Sequence, residues 1–210
     1  MTGELNQSHR RLTRWACVLL AGSAMVLSAC QKISLDGAPA AEPVKKGYLC
    51  CNMRTDGSWI SDINYQEPGK RVIPVGTPVT LTGYGRYRAA IEVAGESKTQ
   101  YLGNDYSRGL SNEAFAARYV VSEDPRQEMS AYSDKIRQAI NSGKIMKGMT
   151  RDQVIMSLGW PVHSENPDMQ AEGWRFWRSS FAEISVFFDA NGRVSDIEAD
   201  RITKSQVVQR

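Results

Sequence analysis

Histidine is scarce in this chain: there are two in 210 residues, and one of them, His9, lies ahead of the point where the mature protein is expected to begin. A histidine-dependent triad or zinc site in the mature part would rest on His163 alone. Pairing it with Cys50 or Cys51 gives a formal nucleophile and base with nothing else in its favour. Glycine-rich phosphate loops are missing as well, since Gly83-Tyr84-Gly85 lacks the third glycine and the following helix such loops need. Runs of like charge are also absent. Three of the 26 basic residues and one of the 23 acidic residues precede residue 30, which leaves a mature chain close to neutral. Neither a nucleic-acid footprint nor a basic membrane-binding patch is indicated. Carboxylate pairs drawn from distant strands leave no mark in a sequence, and nothing points to one. The chain is read as a non-enzyme that needs neither cofactor nor metal.

What is present begins at the N-terminus. Arg10, Arg11 and Arg14 form a basic stretch, Trp15 to Leu27 is almost wholly apolar, and Leu27-Ser28-Ala29-Cys30 follows. A basic start, a short apolar run and small residues at its end read as a secretory signal. The run is short of the roughly 20 residues that a membrane span needs. Leu-Ser-Ala-Cys resembles the lipobox of bacterial lipoproteins, in which the cysteine is diacylated and becomes the new N-terminus. The resemblance makes residues 1–29 a signal peptide and Cys30 the lipid site. Two or more acyl chains anchor stably where one does not. The alternative is an ordinary cleaved signal in which Cys30 is incidental. Gln31 stands where an aspartate would signal inner-membrane retention, so the outer membrane is expected, with the protein facing the periplasm.

Two further cysteines survive cleavage, Cys50 and Cys51. Neighbouring Cα atoms lie about 3.8 Å apart, closer than ordinary disulfides prefer. In a strand their side chains would point to opposite faces. The pair is therefore either one buried and one half-exposed thiol or a redox-sensitive vicinal pair, which an oxidising compartment permits.

Composition divides the rest. Residues 30–46 are rich in Ala, Pro, Gly and Lys and read as a flexible tether. Residues 47–123 carry short runs of Val, Ile, Tyr and Thr, punctuated by Asp56-Gly57, Pro68-Gly69, Gly76 and Gly95, and read as a small all-β domain, SH3-like in outline. One short helix starts inside it with Ser111 as cap and Phe115 facing inward. At Asp124-Pro125-Arg126-Gln127 a helix begins, with an acidic cap and proline in the first turn. Its apolar face runs through Tyr132, Ile136, Ala139 and Ile140 to a stop at Asn141-Ser142-Gly143. Thr150-Arg151-Asp152-Gln153 has the form of a capping box, and Gly159 and Pro161 end that second helix. Thereafter the period is two: Trp174 and Phe176 share a face, Ile184, Val186 and Phe188 alternate with polar neighbours, and Asp189-Ala190-Asn191-Gly192 makes a hairpin loop. Val194 and Ile197 differ in parity, which a bulge or one exposed residue would resolve. Residues 201–210 read as a polar tail that frays. The fold class is thus α+β, an all-β domain followed by an ααβββ domain over residues 124–200.

Gly148-Met149-Thr150, Gln153-Val154 and Leu158-Gly159-Trp160-Pro161, with the strand Trp174-Arg175-Phe176-Trp177 and the hairpin Val186-Phe187-Phe188-Asp189…Gly192-Arg193-Val194, resemble the SmpA/OmlA (BamE) family. That resemblance covers residues 124–199 and implies an ααβββ outer-membrane lipoprotein, accessory to the β-barrel assembly machinery. The inserted β-rich segment departs from it. Envelope proteins are the implied partners, with no nucleic acid. The alternative is a periplasmic module whose SH3-like domain binds peptidoglycan or a peptide. Trp160, in a loop, and Trp177, on the opposite sheet face from Trp174, are interface candidates because tryptophan is enriched in binding hot spots. His163, in the loop beside Pro161, is the third interface candidate. Asn104-Asp105-Tyr106-Ser107-Arg108 is a polar, aromatic loop suited either to binding or to turn chemistry.

Overall fold

The structure, a computed structural model, describes residues 46–210. The signal sequence, Cys30 and most of the tether lie outside the described residues. Among the described residues the architecture is mixed α+β, with a curled six-stranded sheet, a three-stranded sheet and five helices. Among the described residues no helix is long and apolar enough to cross a membrane.

Strands β1 (Lys46–Leu49), β2 (Met53–Thr55), β3 (Trp59–Ser61), β4 (Arg71–Ile73), β5 (Pro78–Gly85), β6 (Arg88–Val93) and β7 (Gln100–Gly103) come first, then helix α1 (Asn112–Tyr119) and strand β8 (Val120–Val121). The large sheet runs β3-β7-β6-β5-β1-β8, with only the β3–β7 pair parallel, and β2 pairs with β4 as a separate ribbon. Alternation puts Val79 and Leu81 of β5 and Ala89, Ile91 and Val93 of β6 on the buried face. Helix α1 starts as its residues dictate: Ser111 Oγ accepts from the Ala114 amide, and the rings of Phe115 and Tyr119 pack tilted at 5.0 Å inside the core.

Helices α2 (Pro125–Met129), α3 (Asp134–Asn141) and α4 (Arg151–Leu158) follow, then the antiparallel meander β9 (Gly173–Ser179), β10 (Ala182–Phe188) and β11 (Val194–Glu198). The single helix expected from Asp124 to Ile140 is two. Ser130 Oγ donates to the Gln127 carbonyl and Ser133 Oγ accepts from the Ile136 amide, so serines that compete for backbone partners end one helix and start the next. Asp124 caps α2 through the Arg126 amide. The capping box on α4 is complete, with Gln153 Oε1 accepting from the Thr150 amide at 3.0 Å and Thr150 Oγ1 accepting from the Gln153 amide at 3.3 Å. The parity conflict in β11 resolves as a bulge: Phe187 faces Asp196 but Phe188 faces Val194, so Val194 and Ile197 both reach the core. In the hairpin loop Gly192, at φ 70°, takes the positive φ.

Residues 201–210 are not a fraying tail. Asp200 caps α5 (Arg201–Val207), Val207 is buried, and Ile145 exchanges backbone bonds with Val207 and Gln209 at 2.8 Å each. A polar composition hid the two buried positions, Thr203 and Val207, that one turn of helix brings to the same side.

The change of character at residues 123–124 is not a break in packing. One hydrophobic cluster takes in Leu49, Met53 and Ile73 from one side and Ile140, Leu158 and Ile184 from the other. Two buried asparagines stitch it. Asn52 Nδ2 donates to the carbonyls of Ile140 (2.6 Å) and Ser157 (3.2 Å), while its Oδ1 accepts from the Val75 amide at 3.0 Å. Asn64 Nδ2 donates to the carbonyls of Leu158 (2.7 Å) and Asn52 (2.9 Å). The carbonyls at the C-terminal ends of α3 and α4 lack partners within their own helices. Those of Ser157 and Leu158 find them in the β-rich segment, and that of Ile140 accepts from Asn52 alongside the Gly143 amide at 2.9 Å.

Candidate functional site

The residues singled out in the sequence scatter. Cys50 and Cys51 are joined as a vicinal disulfide, buried at the end of β1, with Cys51 Sγ 3.8 Å from Met53 Sδ. They are therefore not the one buried and one half-exposed thiol that was the plainer expectation. Trp160 is half-buried against the core; its Nε1 donates to the Arg118 carbonyl at 2.7 Å and the Arg118 guanidinium lies 5.0 Å above its ring. That ring joins α1 to the end of α4. Trp177 lies half-buried on the outer face of the small sheet, its Nε1 donating to Glu165 Oε2 at 2.8 Å. Trp174, on the other face, packs edge-on against Phe188 at 4.7 Å and Phe176 at 6.3 Å, with Arg151 4.0 Å above the Phe188 ring. His163 contributes its backbone amide, which donates to Ser107 Oγ at 3.0 Å, while its Nδ1 is buried without a partner among the described residues. Joined to each other, the two cysteines carry no free thiol.

The loop Asn104–Arg108 is where side chains converge. Asp62, buried at the end of β3, accepts from the Asp105 amide at 3.2 Å and the Tyr106 amide at 3.1 Å. Burial pushes the Asp62 carboxyl above its ordinary range, and the charge of Asp105 adds to this, against hydrogen bonds from Ser107, Tyr106 and Asp105. So fixed, the loop turns Asp105 toward β3. Its Oδ2 accepts from Trp59 Nε1 at 3.1 Å and Ser61 Oγ at 2.7 Å, the two residues that alternation places on one side of that strand. The indole of Trp59 lies against Gly103 of β7: a Cβ there would come within 2.3 Å of the ring, so the position admits only glycine.

Beside this ring is an open hollow of about 590 Å³ lined by Trp59, Tyr65, Tyr106, Asp56, Asp105 and Arg108, among others. Tyr106 is 45 % exposed, and the adjoining Tyr65 hydroxyl together with partial burial pushes its phenol upward. Ser180 Oγ, in the β9–β10 turn, donates to the Tyr65 hydroxyl at 3.3 Å. One residue on, Phe181 stands 98 % exposed at the tip of the small sheet.

Arg54 forms part of the cleft wall but points its charge away. Its Nη2 is the atom that a Cβ on Gly143 would meet at 2.7 Å, at the C-terminal end of α3, where a helix dipole favours a cation. Nη1 is buried without a partner, and burial lowers the guanidinium to about 10.

No protein-family model, curated protein or solved structure matches the chain. The site is accordingly read from its own chemistry. Among the described residues no group of three or more His, Cys, Asp and Glu side chains could hold a metal ion. A larger hollow of about 710 Å³ over β1, β5 and β6 has one aromatic residue in its lining, Tyr48, against three in the cleft. Rings that can be desolvated and polar groups that converge are what a recognition site needs. Sequence reading reached the loop Asn104–Arg108 but missed Trp59 and Tyr65. A lone tryptophan after an Asp-Gly turn carries no periodic signal, and its importance comes from strand β7 lying beside β3.

Proposed function

We propose that the chain is a lipoprotein held to the outer membrane through a diacylated Cys30, facing the periplasm, and that it acts non-catalytically by contact with other envelope proteins, as an accessory to outer-membrane or β-barrel protein assembly. The observation that carries the binding role is the aromatic cleft of Trp59, Tyr65 and Tyr106. The SmpA/OmlA-like reading of residues 124–200 is supported by helices followed by a three-stranded meander, with the aromatic strand central to its core. Trp160 and Trp177 each make internal hydrogen bonds, which moves the weight of the interface from them to the cleft.

A second reading is favoured by the pairing order of the first half. Strand β1 is flanked by β5 and β8 while β5, β6 and β7 form a meander, an arrangement that supports an SH3-like module. In that reading the same cleft holds peptidoglycan or a peptide.

Two measurements test the proposal. Cys30→Ala is expected to release the protein from membranes and abolish fatty-acid labelling; labelling that persists overturns the anchor. A photocrosslinking residue at position 106, in intact envelopes, is expected to capture outer-membrane assembly proteins. Sedimentation with isolated peptidoglycan and no captured protein would establish the second reading instead.

A further inference from the structure

The β5–β6 hairpin carries cations that are stacked on rings rather than paired with acids. Between Gly85 and Arg88 the turn is Arg86-Tyr87, and Tyr87 sits at φ 55°, in the left-handed region that side chains other than glycine seldom occupy. The turn is held from two sides. The Tyr87 carbonyl accepts from the Asn104 amide at 2.8 Å, and the Gly85 carbonyl accepts from Asn112 Nδ2 at 2.9 Å. The Tyr87 ring, 40 % exposed, has two guanidinium groups against it, Arg86 at 5.3 Å and Arg108 at 4.7 Å from its centre. Arg88 lies 5.0 Å from the centre of the Tyr101 ring. None of the three arginines has an ion-pair partner among the described residues. Charge at this end of the sheet is layered. Arg86, Arg88 and Arg108 are exposed, whereas the acids near them lie deeper: Asp62 is buried, and Asp105 and Glu113 are half-buried. Asp105 Oδ2 is in addition taken by Trp59 and Ser61. The outermost charges here are therefore positive, and they stand beside the exposed rings of Tyr84 and Tyr87.

The same end faces the incoming chain. Strand β1 pairs antiparallel with β5, Lys46 opposite Thr80 and Tyr48 opposite Pro78. The N-terminal end of β1 thus points along β5 toward the hairpin, whose tip lies about 17 Å beyond Thr80 at a strand's rise per residue. Fifteen residues separate Cys30 from Lys46, at most about 55 Å of chain, so a lipid at Cys30 is tied within reach of the hairpin.

We propose that the β5–β6 hairpin rests on the surface of the membrane that holds the anchor, with Arg86, Arg88 and Arg108 taking the phosphates of anionic phospholipids and Tyr84 and Tyr87 lying among the headgroups. This rests on the reading of Cys30 as the lipid site, and it adds a second contact that fixes how the protein stands on the bilayer. A guanidinium forks onto phosphate oxygens while its flat face stays on a ring. Tyrosine, apolar in its body and polar at its tip, suits the headgroup level.

The test uses the acylated protein reconstituted into vesicles that carry a headgroup nitroxide quencher, made of phosphatidylcholine alone or with phosphatidylglycerol added. A fluorophore on Thr82→Cys, near the tip, is expected to be quenched in the phosphatidylglycerol vesicles and spared in the others. One on Ser97→Cys, exposed beyond the far end of β6, is expected to be spared in both. Arg86→Gln and Arg108→Gln are each expected to lower the ratio of quenched to unquenched molecules about fivefold, and added salt to lower it further. Tyr87→Gly suits the positive φ and so keeps the turn, yet is expected to lower the ratio as well. Equal quenching at 82 and 97, quenching indifferent to phosphatidylglycerol, or a ratio unmoved by the two arginine changes together would overturn the proposal. A label at 82 that stays unquenched on vesicles and responds only to isolated peptidoglycan overturns it too. Protein that fails to float with phosphatidylcholine vesicles refutes the anchor instead, and quenching at 82 on phosphatidylglycerol vesicles then still decides the hairpin.

Discussion

Replacing Asn52 with alanine removes three hydrogen bonds at one stroke and strands two of their partners inside the core. The Ser157 carbonyl and the Val75 amide are left without the group that now satisfies them, the Ile140 carbonyl keeps its bond from the Gly143 amide at 2.9 Å, and Asn52 is only 2 % exposed. A net contribution of about 1 kcal/mol per hydrogen bond sets a floor of roughly 3 kcal/mol, and unsatisfied buried groups cost more than the mean. That is a large part of the 5–15 kcal/mol by which a domain is typically stable, about half of it at the lower end. Urea unfolding followed by far-ultraviolet circular dichroism and by tryptophan fluorescence measures it. The expected result is a single transition, coincident in both probes, with its midpoint displaced downward. Asn52→Asp is expected to be no better, since a carboxylate would face two carbonyl oxygens. A loss below about 1 kcal/mol, or two separate transitions, would show that the β-rich segment does not cap the helices and that the two halves are stable alone.

Thr150→Ala is expected to cost about 1 kcal/mol, read from the same urea curves, because both hydrogen bonds of the capping box depend on that residue's geometry. Deleting residues 201–210 removes the buried Val207 and the two backbone bonds to Ile145. A loss of at least about 2 kcal/mol is expected, from a valine burial near 1.5 kcal/mol plus the hydrogen bonds; unchanged stability would restore the picture of a loose tail. Arg54→Met is expected to raise stability at neutral pH, since it removes a buried, unpartnered cation. Burial lowers the folded guanidinium to about 10, below its ordinary value, so between the two the unfolded chain holds more protons and rising pH favours the native state. The advantage of the methionine variant should therefore shrink above pH 10, and an advantage independent of pH would refute the cause assigned.

Local chemistry was legible wherever one residue and its near neighbours decide the outcome. Ser111 and Thr150 start helices, Gly159 ends one, and the alternation of Ile184, Val186 and Phe188 gives β10 its buried face. Even the bulge in β11 could be posed as a question of parity between Val194 and Ile197, because side chains in a strand must choose a face.

What only the tertiary structure decided involves residues far apart in the chain. Asn52 and Asn64 meet helix ends some ninety to a hundred positions away, and no composition shift at residue 123 could reveal that the core continues across it. Trp160 looked like a loop residue free to bind, until the Arg118 carbonyl came within 2.7 Å of its indole nitrogen. Trp59 looked like nothing in particular, until β7 lay parallel to β3, put Gly103 beneath its ring and brought Asp105 to its edge. A binding cleft is a coincidence in space of side chains from different strands and loops. Periodicity speaks only for the turn or strand that carries it, so the cleft had to wait for the fold.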